Sequence, residues 1–332
     1  MTLPGTETRT VTRDGVHLAV DVGGEGPLVM LVHGFPELGY SWRHQVPALI
    51  EAGYRVAVPD QRGYGRSDRP EAIEDYDIAH LTDDLLAILD SLGEERAVFV
   101  GHDWGSVAVW QLALMAPERV RGVVGMSVPF LPRAPEPTVA LMRKIYSGGF
   151  FYIIYFQEPG VADAELNGDP ARTMRRMLAG LRPGELSGDE LNTLVVADDA
   201  GFIDRLPEPR GLPDWLSQDE LDFYVAEFNR TGFTGGLNWY RNMDRNWHLS
   251  EHLAEAHVTA PSLFIAGTAD PVLTFAPPDA GEAYLDDYRG RLLIDGAGHW
   301  IQQERPGEVN AALLSFLEDT AERTTAERKA SK

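Results

Sequence analysis

The sequence has no cysteine, few lysines and no long apolar run, and each absence disfavours a class of protein. Without cysteine the chain forms no disulfide, thiol nucleophile or thiolate metal site. Its lysines are Lys144, Lys329 and Lys332, two of them in a polar tail, which disfavours a Schiff-base enzyme. No apolar stretch reaches the roughly 20 residues of a membrane helix, and the first residues lack a signal-peptide pattern. We therefore expect a cytoplasmic protein with no membrane partner.

The charge is strongly negative. The chain carries 51 acidic and 29 basic residues, a net charge of −22, which argues against nucleic acid and anionic membranes as partners. Its 332 residues, 44% of them apolar, are enough for one large core with an insertion. No spacing typical of metal ligands is evident, so we expect no metal and no organic cofactor.

Apolar runs alternate with helical spacing along much of the chain. Residues 8–22 alternate apolar and polar positions around Asp14-Gly15 and predict a β-hairpin. Continuous apolar runs predict buried strands at 28–33, 54–58, 96–101, 120–128, 261–267 and 291–294. Helical spacing falls at 40–52, 76–92, 106–116 and 306–318. This alternation predicts an α/β fold with a mostly parallel, doubly wound sheet.

The alternation stops in the middle of the chain. Between residues 129 and 257 there are proline clusters, helical stretches and many aromatic residues, without evident buried strands. We expect this segment to form a helical cap over the carboxyl edge of the sheet. The core is then built from residues 1–128 and 258–320, and residues 321–332 form a polar tail that frays.

The stretch Gly101-His-Asp-Trp-Gly105 predicts a nucleophile elbow. It follows an apolar strand and precedes a helix, the layout of the Gly-x-Ser-x-Gly motif of serine hydrolases, but Asp103 occupies the nucleophile position. A carboxylate that attacks a saturated carbon forms an alkyl ester, which water can cleave, whereas a serine would form an inert ether. The motif therefore favours a reaction that opens a bond at a saturated carbon.

Two later residues complete a catalytic constellation. Asp270 and His299 each follow a predicted strand, and the chain order of nucleophile, acid and histidine is that of hydrolases with this elbow. We expect His299 to take a proton from the hydrolytic water and Asp270 to orient it. Asp60 and Asp295 are weaker alternatives for the acid. The two other histidines beside these segments, His33 and His102, are interpreted as supports for loops.

The segment His33-Gly-Phe-Pro36 directly follows a buried strand. In hydrolases with this elbow, the oxyanion hole takes one backbone N–H from that loop and one from the residue after the nucleophile. The predicted donors are Phe35 and Trp104, which would stabilise the anion formed when water attacks the ester.

Together these motifs resemble the epoxide hydrolases of the α/β-hydrolase fold, the group that contains the hydrolase domain of the mammalian soluble enzyme and its bacterial relatives. The resemblance covers nearly all of residues 8–318. It rests on residues 33–36, 59–67, 101–105 and 298–300 and on two cap segments, 152–160 and 237–243, of which the cap segments are the more specific.

The resemblance implies a reaction and further site residues. In that family two cap tyrosines hydrogen-bond the epoxide oxygen and protonate it, and by motif position they are Tyr152 and Tyr240, with Tyr155 as an alternative to Tyr152. The implied activity converts a lipophilic epoxide and water into a vicinal diol through an ester on Asp103. A homodimer is one assembly that the sequence leaves open. The residues expected to contact the substrate are Phe35, Pro36, Trp104, Tyr155, Phe156, Trp239 and Trp300.

Several other functions fit the sequence less well. A haloalkane dehalogenase shares the Asp-Trp pair, but such enzymes commonly place asparagine where this chain has Phe35. Fluoroacetate-type dehalogenases commonly have arginine where this chain has Trp104. A serine esterase would need Ser106, which falls inside the predicted helix. A ligand-binding receptor on an inactive hydrolase fold is disfavoured because every catalytic position holds a competent residue.

Overall fold

The computed structural model describes residues 2–180 and 200–330, with side chains through residue 321. A sheet of eight strands forms its centre in the order β1-β2-β4-β3-β5-β6-β7-β8. β1 and β2, and β2 and β4, pair antiparallel, and all other neighbours are parallel, which confirms the predicted sheet. The strands are β1 Thr6–Arg13, β2 Val16–Gly23, β3 Leu28–Val32, β4 Arg55–Pro59, β5 Ala97–His102, β6 Val120–Met126, β7 Ser262–Gly267 and β8 Tyr288–Ile294.

The predicted hairpin is present at the start of the sheet. Asp14 and Gly15 join β1 to β2 with positive φ angles of 49° and 82°. Two positive φ angles define the turn whose twist suits a two-residue hairpin, and aspartate and glycine tolerate that conformation. The local sequence therefore sets the register in which Arg13 pairs with Val16.

Period-two alternation divides the core between the two faces of the sheet. In β3, Met30 and Val32 pack into one apolar cluster, whereas Val29 and Leu31 pack into the other. Successive side chains of a strand point to opposite faces, so a continuous apolar run serves both clusters at once. The first cluster also holds residues of the middle segment such as Phe156, so that segment packs against the first cluster.

The described helices are α1 Gln45–Glu51, α2 Ile78–Ser91, α3 Trp104–Met115, α4 Thr138–Ile145, α5 Tyr152–Tyr155, α6 Val161–Gly168, α7 Pro170–Ala179, α8 Phe202–Arg205, α9 Gln218–Thr231, α10 Thr234–Arg241, α11 Met243–Leu249, α12 Ile301–Glu304 and α13 Pro306–Ala330. None of them is both long enough and apolar enough to cross a bilayer.

Two helix predictions were wrong in their bounds. The helix expected at 40–52 is a 3₁₀ turn, Gly39–Trp42, followed by α1. Pro47 lies in the first turn of α1, where the backbone N–H that proline lacks would have no partner within the helix. The last helix continues past residue 318 to Ala330. Its final residues are mostly alanine, glutamate, arginine and threonine with no glycine or proline, so no stop signal interrupts the helix.

The described parts of the segment between β6 and β7 hold helices α4 to α11. Two ion pairs join this segment to the core. Arg43 contacts Glu220 of α9 at 2.5 Å, and Asp77, the N-cap of α2, contacts Arg245 of α11 at 2.8 Å. The division of the chain into a core and a cap at residues 129–257 stays a prediction.

Candidate active site

Asp103 lies at the sharp turn between β5 and α3. Its φ and ψ angles are 52° and −119°, a strained conformation for a residue with a side chain. The flanking residues must be glycine, because a Cβ on Gly101 would lie 2.2 Å from the carbonyl oxygen of Gly105 and one on Gly105 would lie 2.0 Å from the carbonyl oxygen of Val32. The turn thus lifts the Asp103 carboxylate above the carboxyl edge of the sheet.

The Asp103 carboxylate is held by backbone donors and faces a histidine. The Phe35 N–H donates to its Oδ1 atom at 2.8 Å, and the Trp104 N–H also donates to the carboxylate. Its Oδ2 atom lies 3.7 Å from Nε2 of His299. Burial raises the pKa of Asp103, while His299, His102 and the two N–H donors oppose that rise. Oδ2 is therefore the oxygen turned toward the cavity and the histidine.

His299 is oriented by Asp270. Its Nδ1 atom lies 3.0 Å from Oδ2 and 3.1 Å from Oδ1 of Asp270, which is buried and also accepts the Val272 N–H at 2.9 Å. Burial disfavours the imidazolium, but the charges of Asp270 and Asp103 outweigh it and raise the pKa of His299 to about 9. An Nδ1–H donated to Asp270 leaves Nε2 pointing at Asp103.

Tyr152 and Tyr240 come together from two cap helices. Tyr152 begins α5 and Tyr240 lies near the end of α10, and their ring centroids are 6.0 Å apart. Trp104 hydrogen-bonds Tyr240 through its side chain. Burial is the main cause that raises the pKa of both phenols, and the nearby Asp103 charge adds to it. Both side chains therefore keep their protons and can act as donors.

Two cavities meet at these residues. The cavity that we call the long arm has a volume of about 290 Å³, and the one that we call the aromatic arm has about 230 Å³. Both are lined by Asp103, Tyr152, Tyr240, Val272 and Phe275. The lining is mostly apolar with a few convergent polar groups, as is typical of small-molecule sites. A molecule held at Asp103 can extend in two directions.

The structure brings some of the predicted contact residues to the cavities and leaves others outside. Phe35, Phe156 and Trp300 line the aromatic arm, and Trp104 lines the long arm. The remaining three, Pro36, Tyr155 and Trp239, line neither arm.

The residues outside the arms have other contacts. Trp239 is fully buried against Tyr64, at a ring distance of 4.8 Å. Tyr155 hydrogen-bonds Glu165 and packs against Phe150, at a ring distance of 5.4 Å. Tyr152, rather than Tyr155, is therefore the tyrosine of α5 that reaches the site.

The alternative acids and the serine have structural partners. Asp60 binds Arg66 at 2.7 Å, and Asp295 accepts a hydrogen bond from Thr268 at 3.2 Å. Ser106 lies inside α3 and donates to the carbonyl oxygen of Val128 at 2.6 Å. These contacts favour Asp270 as the partner of His299.

His33 has a structural role below the site. Its Nδ1–H donates to the carbonyl oxygen of Gly34 at 2.9 Å and its Nε2 atom accepts the Gln61 N–H at 3.0 Å. With one donating and one accepting nitrogen the ring is neutral, and burial lowers its pKa. The ring therefore joins the loop after β3 to the loop after β4.

A buried group below the site was missed in the sequence. The fully buried Glu37 carboxylate lies 2.6 Å from Nδ1 of His102 and accepts hydrogen bonds from the Gly34 N–H at 3.0 Å and from Gln302 at 2.8 Å. Burial raises the pKa of Glu37, but His102 and these donors outweigh it and lower the pKa to about 2. In the sequence, Glu37 is marked only by its position directly after His33-Gly-Phe-Pro36. Glutamate in a loop is usually exposed, so the sequence did not predict a buried carboxylate.

Comparison with known proteins agrees with this geometry. A family model described as the alpha/beta hydrolase fold matches residues 27–306. Epoxide hydrolase A of Mycobacterium tuberculosis is 62% identical over 312 residues, which cover 93% of this chain and 96% of that protein. The mouse bifunctional epoxide hydrolase 2 is 39% identical over 92% of this chain, which spans 54% of that protein.

The structural comparison gives the same result. The crystal structure of epoxide hydrolase A from Mycobacterium thermoresistibile superimposes with a TM-score of 0.91 at 60% identity, over 94% of this chain and 98% of that one. The chain therefore belongs to the epoxide hydrolases of the α/β-hydrolase fold. The resemblance inferred from the motifs is confirmed at the level of family, fold and enzyme class.

Proposed function

We propose that this chain hydrolyses a lipophilic epoxide to a vicinal diol through an ester on Asp103. One observation carries the proposal. At the junction of the two arms, Oδ1 of Asp103 is held by the Phe35 N–H at 2.8 Å while Oδ2 faces His299 at 3.7 Å, with Tyr152 and Tyr240 lining the same space. The arrangement supplies a fixed nucleophile, a proton donor and a base to one small volume.

In the first step Oδ2 of Asp103 attacks a ring carbon of the epoxide, and the C–O bond of the ring breaks. The electron pair of that bond stays on the ring oxygen, which takes a proton from Tyr152 or Tyr240. Because the pKa of both phenols is raised, each is protonated at neutral pH. Strained rings open readily only when the leaving oxygen is stabilised, so these donors are expected to lower the barrier.

In the second step water attacks the carbonyl carbon of the ester. Esterification removes the negative charge of Asp103, one of the charges that raise the pKa of His299. The histidine then loses its proton more readily and can accept one from water, while Asp270 stabilises the imidazolium that forms. The N–H groups of Phe35 and Trp104 donate to the carboxylate now and remain in place for the tetrahedral anion. When that anion collapses, its bond to the diol oxygen breaks, and the leaving alkoxide takes the proton of the imidazolium. The proton that stays on the Asp103 carboxyl group returns to the phenolate left by the first step, so that the diol is released and the site is restored.

A dehalogenase reaction is less well supported. It would use the Trp104 indole N–H to hold a halide, but here the Trp104 side chain hydrogen-bonds Tyr240. The relatives and the structural neighbour named above are epoxide hydrolases. A cytoplasmic location and a homodimer stay predictions from the sequence.

The test is the intact mass of the His299→Gln variant after incubation with styrene oxide, followed by peptide mapping. Glutamine cannot act as the base, so the ester should form and accumulate, and the mass should rise by that of the whole epoxide on Asp103. The matched control is His257→Gln, which changes an exposed histidine paired with Asp286 and should turn over without an adduct. An adduct elsewhere, or adduct formation that survives Asp103→Asn in the same background, would contradict the proposal.

A further inference from the structure

We propose that Glu304 is a positioning residue for the base of the second step. Its carboxylate accepts the peptide N–H groups on both sides of His299 and thereby sets where the imidazole lies when water attacks the ester. The inference rests on the proposed function, because it assumes that His299 activates that water. Glu304 lines neither the long arm nor the aromatic arm, so it acts through the loop of His299 and not on the substrate.

The Glu304 carboxylate holds this loop with both of its oxygens. Oε2 accepts the Gly298 N–H at 2.7 Å, and Oε1 accepts the Trp300 N–H at 2.9 Å. Hydrogen bonds to an ionised acceptor are about twice as strong as those between neutral groups. Because one side chain joins the residue before His299 to the residue after it, a change in the backbone at His299 would break at least one of the two bonds.

The peptide group between His299 and Trp300 is held from both of its ends. Its N–H donates to Glu304, and its carbonyl oxygen accepts hydrogen bonds from Nε2 of His102 and from the Ser127 hydroxyl, each at 2.8 Å. This peptide is bonded directly to the Cα atom that carries the imidazole. Its orientation therefore fixes the direction in which the side chain of the base leaves the backbone.

The peptide group between Ala297 and Gly298 is held in the same way. Its N–H donates to Glu304, and its carbonyl oxygen accepts the Ala269 N–H at 3.0 Å. Ala269 directly precedes Asp270, the partner of the base. Glu304 thus completes a set of contacts that fixes the loop of the base relative to the loop of the acid.

The short helix α12 brings Glu304 back over this loop. Trp300 is the N-cap of α12, and Glu304 is its last residue, four positions later. Because the Cα–Cβ bonds of a helix tilt toward its N-terminus, a side chain at position i+4 lies over residue i. The Glu304 N–H also donates to the Trp300 carbonyl oxygen at 2.8 Å. One turn of helix is therefore enough to direct the carboxylate at the two N–H groups.

Glu304 forms no ion pair within the part of the chain that the structure describes, and the neighbouring Arg305 pairs with Glu308 at 3.9 Å. Glu304 is half-buried, and burial raises its pKa, while the two N–H donors and the charges of His299 and Arg305 oppose that rise. Burial of a carboxylate is unfavourable unless hydrogen bonds compensate for it. Here the compensating bonds come from the loop of the base, which is the pattern expected of a residue that positions that loop.

The two steps of the reaction depend on this loop to different degrees. Ester formation uses the Asp103 carboxylate, which the N–H groups of Phe35 and Trp104 hold, and the two phenols. Ester hydrolysis needs the imidazole of His299 beside the attacking water. A misplacement of about 1 Å can slow a reaction by about 10². Loss of the Glu304 contacts should therefore slow the second step and spare the first.

The test measures both steps in Glu304→Gln by single turnover with styrene oxide, acid quench and mass spectrometry. An amide has only one acceptor oxygen, so one of the two N–H groups is left facing an NH₂ group. We expect ester formation to keep the wild-type rate and ester hydrolysis to slow by about tenfold or more, so that the ester accumulates. The matched control is Glu308→Gln, which makes the same change at an exposed residue four positions later and should leave both rates unchanged.

A second variant keeps the test valid if Glu304→Gln folds poorly. The amount of ester formed counts the folded sites, and both rates are expressed per site. If Glu304→Gln yields too few sites, Glu304→Asp replaces it, because the shorter carboxylate keeps its charge but cannot reach both N–H groups. The same selective slowing of hydrolysis is expected there.

The outcomes separate the two proposals. If the tested variant of Glu304 slows both steps equally, or keeps the wild-type rate of hydrolysis, the positioning role is overturned while the ester on Asp103 leaves the proposed function standing. Slowing of hydrolysis by the same factor in Glu308→Gln would also overturn it. If His299→Gln accumulates no ester on Asp103, the proposed function itself fails.

Discussion

The Nε2 atom of His102 lies 2.8 Å from the backbone carbonyl oxygen of His299, so the residue before the nucleophile holds the loop of the base. A carbonyl oxygen only accepts, which means that Nε2 carries a proton. Nδ1 lies 2.6 Å from the carboxylate of Glu37. Ser127 donates to the same carbonyl at 2.8 Å. The Glu37–His102 pair thus joins the loop of Phe35, the elbow and the loop of His299.

Replacement of Glu37 with glutamine should destabilise the protein strongly. The change leaves His102 buried without its acidic partner, and the loss of one member of a buried pair typically costs about 3 kcal/mol or more. We expect the free energy of unfolding in urea to fall by about that amount. The matched control is Asp68→Asn, which breaks an exposed His17–Asp68 pair of 2.8 Å and should cost less than about 1 kcal/mol. Equal costs for the two variants would contradict a buried ionic pair.

Replacement of Tyr152 or Tyr240 with phenylalanine should slow ester formation more than ester hydrolysis. Each change removes one of the two phenol donors that line the junction of the arms, and a general acid is worth roughly 10²–10⁴ in rate. We expect single-turnover ester formation to slow by about 10² in each variant, measured by acid quench and mass spectrometry.

The control for the tyrosine variants lies in the same short helix. Tyr155 hydrogen-bonds Glu165 and lines neither arm, so Tyr155→Phe should change ester formation little. If Tyr155→Phe slowed the step as much as Tyr152→Phe does, α5 would act through its packing, and the assignment of a proton donor would be wrong.

Local patterns were sufficient to predict the core of this fold. Apolar runs predicted the strands because strands buried on both faces need apolar residues at every position. The glycines at 101 and 105 predicted the elbow because a Cβ at either one would overlap the backbone. Asp270 and His299 follow β7 and β8, whose carboxyl ends lie at the same edge as that of β5. Each of these inferences depends only on residues that are close in sequence or on the rule that parallel strands end at the same edge of a sheet.

The residues that sequence reasoning missed, misplaced or left open depend on distant contacts. The buried carboxylate of Glu37 is stabilised by Gln302, which lies far along the chain and donates a hydrogen bond to it at 2.8 Å. Trp239 and Tyr240 are adjacent in α10, and consecutive helical residues point about 100° apart, so one enters the core and the other the cavity. Which of Tyr152 and Tyr155 faces the site depends on how α5 packs against the core. No local pattern carries that information.

The stability of the protein should depend on pH through His299. Its pKa is raised from 6.5 to about 9, since Asp270 and Asp103 outweigh the effect of burial. A raised folded-state pKa gives stability that is complete below pH 6.5 and is lost as the pH rises toward 9. The free energy of unfolding of the wild type should therefore fall by at most about 3 kcal/mol over this range relative to His299→Gln, measured by urea titrations at several pH values. Parallel curves for the two proteins would show that His299 gains no proton affinity on folding.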